Sequence, residues 1–79
     1  MYYANFHSPD PLDHIVRTLD ILRCMNFNLQ SISAEECDFG VSRVEVIYMV
    51  QGRLSSDTFV DRVRKIFGIE NFDHGLIDD

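Results

Sequence analysis

The run Ser42–Gln51 constrains this chain more than any other segment: Val44, Val46, Tyr48 and Val50 share one parity, and Ile47 and Met49 take the other. Alternation with a period of two marks a β-strand, and branched and aromatic side chains suit its pleated surface. Apolar residues on both parities imply that both faces of the strand meet something. A chain of 79 residues has room for one core only. One face is therefore expected on the chain's own helices and the other on a different surface.

Two helical stripes flank this strand. Leu12, Ile15, Val16, Leu19, Leu22 and Met25 recur at three- and four-residue spacing, and Asp13, Arg17, Asp20 and Arg23 take the other side. Asp10 is placed to cap that helix, Pro11 suits its first position, and Asn26 suits the left-handed conformation that ends it. Phe59, Val60, Val63, Ile66 and Phe67 form the second stripe, capped by Ser55 or Ser56 and ended by Gly68.

The remaining segments read as strands. Residues 2–7 alternate and stop at Ser8-Pro9-Asp10-Pro11. Phe27 to Ala34 is a second strand, in which the opposite parities of Leu29 and Ile32 imply a bulge or two covered faces. Glu35 to Gly40 reads as an acidic turn, and Ile69 to Ile77 as a last strand with Phe72 and Leu76 on one face, before Asp78-Asp79. The order βαββαβ predicts an α+β, ferredoxin-like sandwich over residues 1–79: a four-stranded antiparallel sheet with two helices on one face.

Composition excludes several functions. Thirteen acidic against seven basic residues, a net charge of −6, repel nucleic-acid backbones. Tyr2, Tyr3, Phe6 and Tyr48 lack the aromatic-glycine signature of an RNA-stacking sheet and read as packing residues. No apolar run reaches the ~20 residues of a membrane span. Cys24 and Cys37 form no CxxC pair, and no secretory leader precedes them, so reduced thiols and a cytoplasmic location are expected. His7, His14 and His74 show no ligand-pair spacing with each other or with the cysteines, so no metal site and no thiol catalysis are expected. His7 and His14 read as surface or turn residues.

Three segments resemble a known family: Met25-Asn26-Phe27-Asn28-Leu29-Gln30-Ser31-Ile32, Ser42-Arg43-Val44-Glu45-Val46, and Phe59-Val60-Asp61-Arg62-Val63-Arg64-Lys65-Ile66-Phe67-Gly68-Ile69. In order and spacing they are similar to the ACT domain of the small regulatory subunit of acetolactate (acetohydroxyacid) synthase, over nearly the whole chain. The resemblance implies a non-catalytic domain without a cofactor of its own. It would pair with a second copy by sheet edge or sheet face, bind the catalytic thiamine-diphosphate subunit, and in many members sense a branched-chain amino acid at the dimer seam. Of the family's ligand positions, Asn28 is the one that carries over. The face bearing Ile47 and Met49 fits such pairing independently, and Arg43 is either a surface ion-pairing residue or part of the contact with the catalytic subunit.

The sequence departs from most ACT domains at the first loop, and there it stays similar to the short, single-ACT form of the small subunit, which also lacks the loop glycine. Most ACT domains place Asn-x-x-Gly-x-Leu there, so that backbone amides reach an effector's carboxylate. Here His7-Ser8-Pro9-Asp10-Pro11-Leu12-Asp13 removes amide donors at two prolines and adds two aspartates that repel a carboxylate. An ACT-type module sensing an amino acid on its own is the alternative reading. Val50-Gln51-Gly52-Arg53 resembles the phosphate loop of acylphosphatases, but those enzymes hold it between the first strand and first helix. A glycine turn ahead of a helix accounts for these residues.

Overall fold

The computed structural model describes residues 1–77, so the Asp78-Asp79 end lies outside the described residues. Six elements follow in the expected order: β1 (Tyr2–Ser8), α1 (Pro11–Met25), β2 (Asn28–Asp38), β3 (Val41–Met49), α2 (Ser56–Arg64) and β4 (Glu70–Leu76). The strands form one antiparallel sheet in the order β2-β3-β1-β4. Leu22 and Met25 from α1 and Phe59 and Val63 from α2 close on Ala4, Phe6, Val44, Val46 and Tyr48, which share one face of β1 and β3. The fold is the ferredoxin-like sandwich, with both helices on that face.

Local chemistry explains most of the boundaries. Asn26 ends α1 at φ 59°, and the amide of Phe27 donates to the carbonyl of Leu22 at 3.1 Å, a closure that seats Phe27 against the core. Asp10 holds the cap position without the expected side-chain bond; its own amide donates instead to Ser8 Oγ at 3.0 Å. In β2 a bulge at Gln30 sets Leu29 opposite Tyr48 and Ile32 opposite Val46, so both face the helices despite their opposite parity.

Three expectations need correction. The acidic segment Glu35–Asp38 continues β2, because Arg43 and Ser42 stand opposite Glu35 and Glu36; the turn is confined to Phe39 and Gly40, at φ 47° and 79°. Helix α2 stops at Arg64, before Gly68, so Phe67 leaves the buried stripe and stands 95% exposed. Helix α1 is turned so that His14, Thr18, Leu22 and Met25 face inward, while Leu12 is 76% exposed and Val16 is also exposed. Two polar residues enter the stripe at little cost because their polar atoms are paired, Thr18 donating to the His14 carbonyl at 2.8 Å.

Tyr48 sits at the centre of this core, with Phe27 stacked at 6.0 Å and Phe59 at 4.4 Å between ring centroids. Its hydroxyl is fully buried and has no hydrogen-bond partner among the described residues. Burial first of all, with Tyr2 and Asp57 behind it, pushes the phenol from 10 up to about 12. An orphaned buried hydroxyl costs about 1–3 kcal/mol. The fold favours the neutral phenol, so the stability it contributes holds below pH 10 and is lost as pH rises towards 12. Tyr48→Phe is expected to be at least as stable as the parent in urea unfolding at neutral pH, and to lose less stability between pH 10 and 12. A destabilisation beyond about 1 kcal/mol at neutral pH contradicts the orphaned hydroxyl.

Candidate functional site

The face of the sheet away from the helices is uncovered, and strand register fixes what it displays. Across β2, β3, β1 and β4 one row reads Ser31, Ile47, Tyr3, Gly75; the next reads Ser33, Glu45, Asn5, Asp73; the third reads Glu35, Arg43, His7, Glu70. Asn28 and Met49 pair at the end beyond Ile47. The face is therefore graded rather than apolar along its length. Ile47 is half-buried and Met49 is 43% exposed at one end, and charges fill the other.

A concavity of about 410 Å³ lies in the middle, lined by Tyr3, Asn5, Arg43, Glu45, Ile47, Asp73 and Ile77. Tyr3 leans over Gly75, where an added Cβ would come within 2.9 Å of the ring, and donates its hydroxyl to Asp73 Oδ2 at 3.3 Å. The negative charge of Asp73 foremost, then lost hydration, their hydrogen bond and Glu45, pushes the Tyr3 phenol above its ordinary value. Arg43 reaches Glu45 at 3.4 Å across partly exposed side chains, a pair of small energetic weight. Asn5 forms the floor at 9% exposure, and its carboxamide makes no hydrogen bond among the described residues.

A second polar cluster lies at the charged end. His14 is 5% exposed, contrary to the surface position expected for it, with Nδ1 against Ser8 Oγ and Nε2 3.0 Å from the Phe67 carbonyl. A carbonyl only accepts, so Nε2 carries the proton and Nδ1 accepts from the Ser8 hydroxyl; Ser8 Oγ in turn accepts from the Asp10 amide. A serine–histidine contact invites comparison with a nucleophile and its base. Ser8 is completely buried, however, and the second histidine nitrogen is occupied by a main-chain oxygen, so the cluster ties the β1–α1 loop to the segment before β4. His7 is half-buried, its Nδ1 3.1 Å from Asn71 Nδ2.

Asn28, Ile47, Met49 and Arg43 all fall on the uncovered face. Asn28 and the first loop stand at opposite ends of the sheet, about 23 Å apart by strand rise, so one chain alone does not bring them together. Gly52 turns the chain at φ 77° and Arg53 is exposed beside it, in keeping with a plain turn. Sequence reading missed Asn5, Asp73 and the buried His14. The available signal was parity: Tyr3, Asn5 and His7 alternate with the apolar Ala4 and Phe6. Among the described residues no three His, Cys, Asp or Glu side chains converge to hold a metal, and no helix is long and apolar enough to cross a membrane.

Asp73→Asn is expected to lower the Tyr3 phenol towards its ordinary value in an ultraviolet phenolate titration. An unchanged Tyr3 titration contradicts the charge contact.

No family model and no curated protein sequence matches the chain. Among solved structures it is similar to the C-terminal domain of the MgtC protein from Mycobacterium tuberculosis, with a TM-score of 0.77 and 8% identity over 94% of this chain and 83% of that one. It is also similar to the ACT domain from the GTP pyrophosphokinase of Chlorobium tepidum, with a TM-score of 0.67 and 14% identity over 92% of this chain and 94% of that one. At such identities the likeness establishes the fold, a ferredoxin-like sandwich of the ACT type.

Proposed function

We propose that this domain is a non-catalytic cytoplasmic regulatory subunit, which pairs with a second copy along β2 and docks on a larger catalytic chain. The observation that carries the reading is the free edge of β2. Eleven residues long, β2 bonds among the described residues to β3 alone, which leaves a row of outward main-chain groups without a partner strand there. Its middle, Ser31–Ala34, is uncharged, whereas Glu35, Glu36 and Asp38 crowd the hairpin end.

Charge selects the direction of pairing. An antiparallel two-fold seam centred on Ile32 sets Glu35 and Glu36 of one chain against Leu29 and Asn28 of the other, whereas parallel pairing sets acid against acid. The antiparallel seam also carries Asn28 to the partner's hairpin end, the same end as the partner's first loop. A pocket at Asn28 thus requires two chains. The segments at residues 25–32, 42–46 and 59–69 favour the catalytic subunit of acetolactate synthase as the larger partner, and the apolar end at Ile47 and Met49 gives it a surface.

Sedimentation at rising concentration is expected to show a monomer–dimer equilibrium. The double substitution Ser31→Glu with Ser33→Glu places like charges twice across the seam and is expected to weaken association about tenfold or more, with the circular dichroism of the fold retained. A monomer at all concentrations removes the dimer. Mixing with the acetolactate synthase catalytic subunit is expected to change its rate; no change in rate and no co-sedimentation removes that partner. The concavity over Asn5 favours a second reading, a stand-alone ACT-type module that senses a small molecule.

A further inference from the structure

We propose that the end of the molecule carrying the β2–β3 turn docks on the same end of a second copy of this chain, the turn of each copy seated against the close of α2 in the other. Six phenylalanines occur in the sequence, and four of them are buried or half-buried. The other two, Phe39 at the turn and Phe67 beyond α2, are 96% and 95% exposed. Phe39 holds φ 47°, a left-handed conformation in which a bulky side chain is an outlier and for which Asn is a usual choice. Neither turn chemistry nor the core therefore accounts for a ring there. Phe67 is held in place through its carbonyl, which accepts from His14 Nε2 at 3.0 Å.

The two rings sit at one end of the sheet and at opposite edges of it. Glu35, Arg43, His7 and Glu70 stand in cross-strand register at that end, on β2, β3, β1 and β4. The turn lies beyond the β2 side of this row. Helix α2 closes on the β4 side, where the Arg64 guanidinium lies 5.3 Å from the centre of the Phe72 ring. Three strand spacings, about 14 Å, separate the edges. The surroundings of the rings differ in sign. Glu36 and Asp38 precede Phe39, and Arg62, Arg64 and Lys65 precede Phe67; none of these five side chains makes an ion pair among the described residues. Cations suit the last turn of a helix, but that leaves the bare ring beside them unexplained. A dyad along the sheet normal at this end exchanges the two edges. It sets Phe39, Glu36 and Asp38 of each copy against Phe67, Arg64 and Lys65 of the other, so opposite charges meet twice around paired rings. A dyad lying in the plane of the sheet sets acid on acid and base on base instead. The contact uses the turn and α2 rather than the outward main-chain groups of β2, so it does not depend on the β2 seam.

The Ser31→Glu, Ser33→Glu background removes that seam and leaves the end contact. In this background one chain carries Arg64→Glu with Lys65→Glu and presents acid at both edges; another carries Glu36→Lys with Asp38→Lys and presents base at both. Each keeps a negative net charge, so overall attraction does not draw them together. Sedimentation, with circular dichroism to confirm the fold, is expected to show each charge-swapped chain alone as a monomer and their equimolar mixture as a dimer, and raised salt is expected to weaken that dimer about tenfold. Phe39→Asn, which suits the turn better, and Phe67→Ser are each expected to weaken self-association of the background chain about tenfold, and these decide the matter where a charge-swapped chain does not fold. A background chain that stays monomeric at all concentrations overturns the docking surface, whatever else the two rings bind. A mixture that does not associate overturns it too, as does a charge-swapped chain that self-associates as strongly as the background chain or an affinity that neither ring substitution alters.

Discussion

Two helices lie across one side of a four-stranded sheet, and most of the molecule's properties follow from that unequal cover. On the covered side Phe6, Val44, Val46, Tyr48, Phe59 and Val63 are sealed from water, a core in which the Tyr48 hydroxyl is left without a partner among the described residues. On the other side the same strands present Asn5, Glu45, Ile47 and Met49. Because side chains alternate along a strand, every residue committed to the core fixes its neighbour on the open side. The core that holds β1 and β3 together thus also fixes what the open side can offer.

That side is not a uniform hydrophobic patch. It grades from Met49 and Ile47 to Arg43, Glu35 and Glu70, and the concavity lies where the two regimes meet. Such a boundary suits a ligand with one charged and one apolar end better than it suits a flat protein contact. The free edge of β2 is a different kind of surface, defined by main-chain groups and by where its acids lie. The two surfaces are distinct in chemistry and in place. The ACT-type fold is compatible with this division, and the chemistry of the division lies in this chain's own side chains.

Much of the architecture was legible locally. The parity of Val44, Val46 and Tyr48 identified β3, Asn26 announced the end of α1, and the clash of parity between Leu29 and Ile32 pointed to the bulge that the structure places at Gln30. What escaped depended on distant partners. His14 is buried because Ser8 and the Phe67 carbonyl saturate its ring, and the latter contact spans 53 positions. Glu35 and Glu36 remain in β2 because Arg43 and Ser42 stand opposite, which a strand read alone cannot show. The row Glu45, Asn5, Asp73 exists only once β1 is paired on both sides, so no local pattern announces it.

The central claim is that the free β2 edge of this sheet meets another polypeptide. Amide hydrogen exchange across Ser31–Ala34, followed over a wide span of protein concentration, probes that edge at the bonds in question. The account predicts that protection of the alternate amides that point away from β3 rises with concentration while the buried amides of β1 hold constant. Exchange at those outward amides that stays fast and independent of concentration would contradict it.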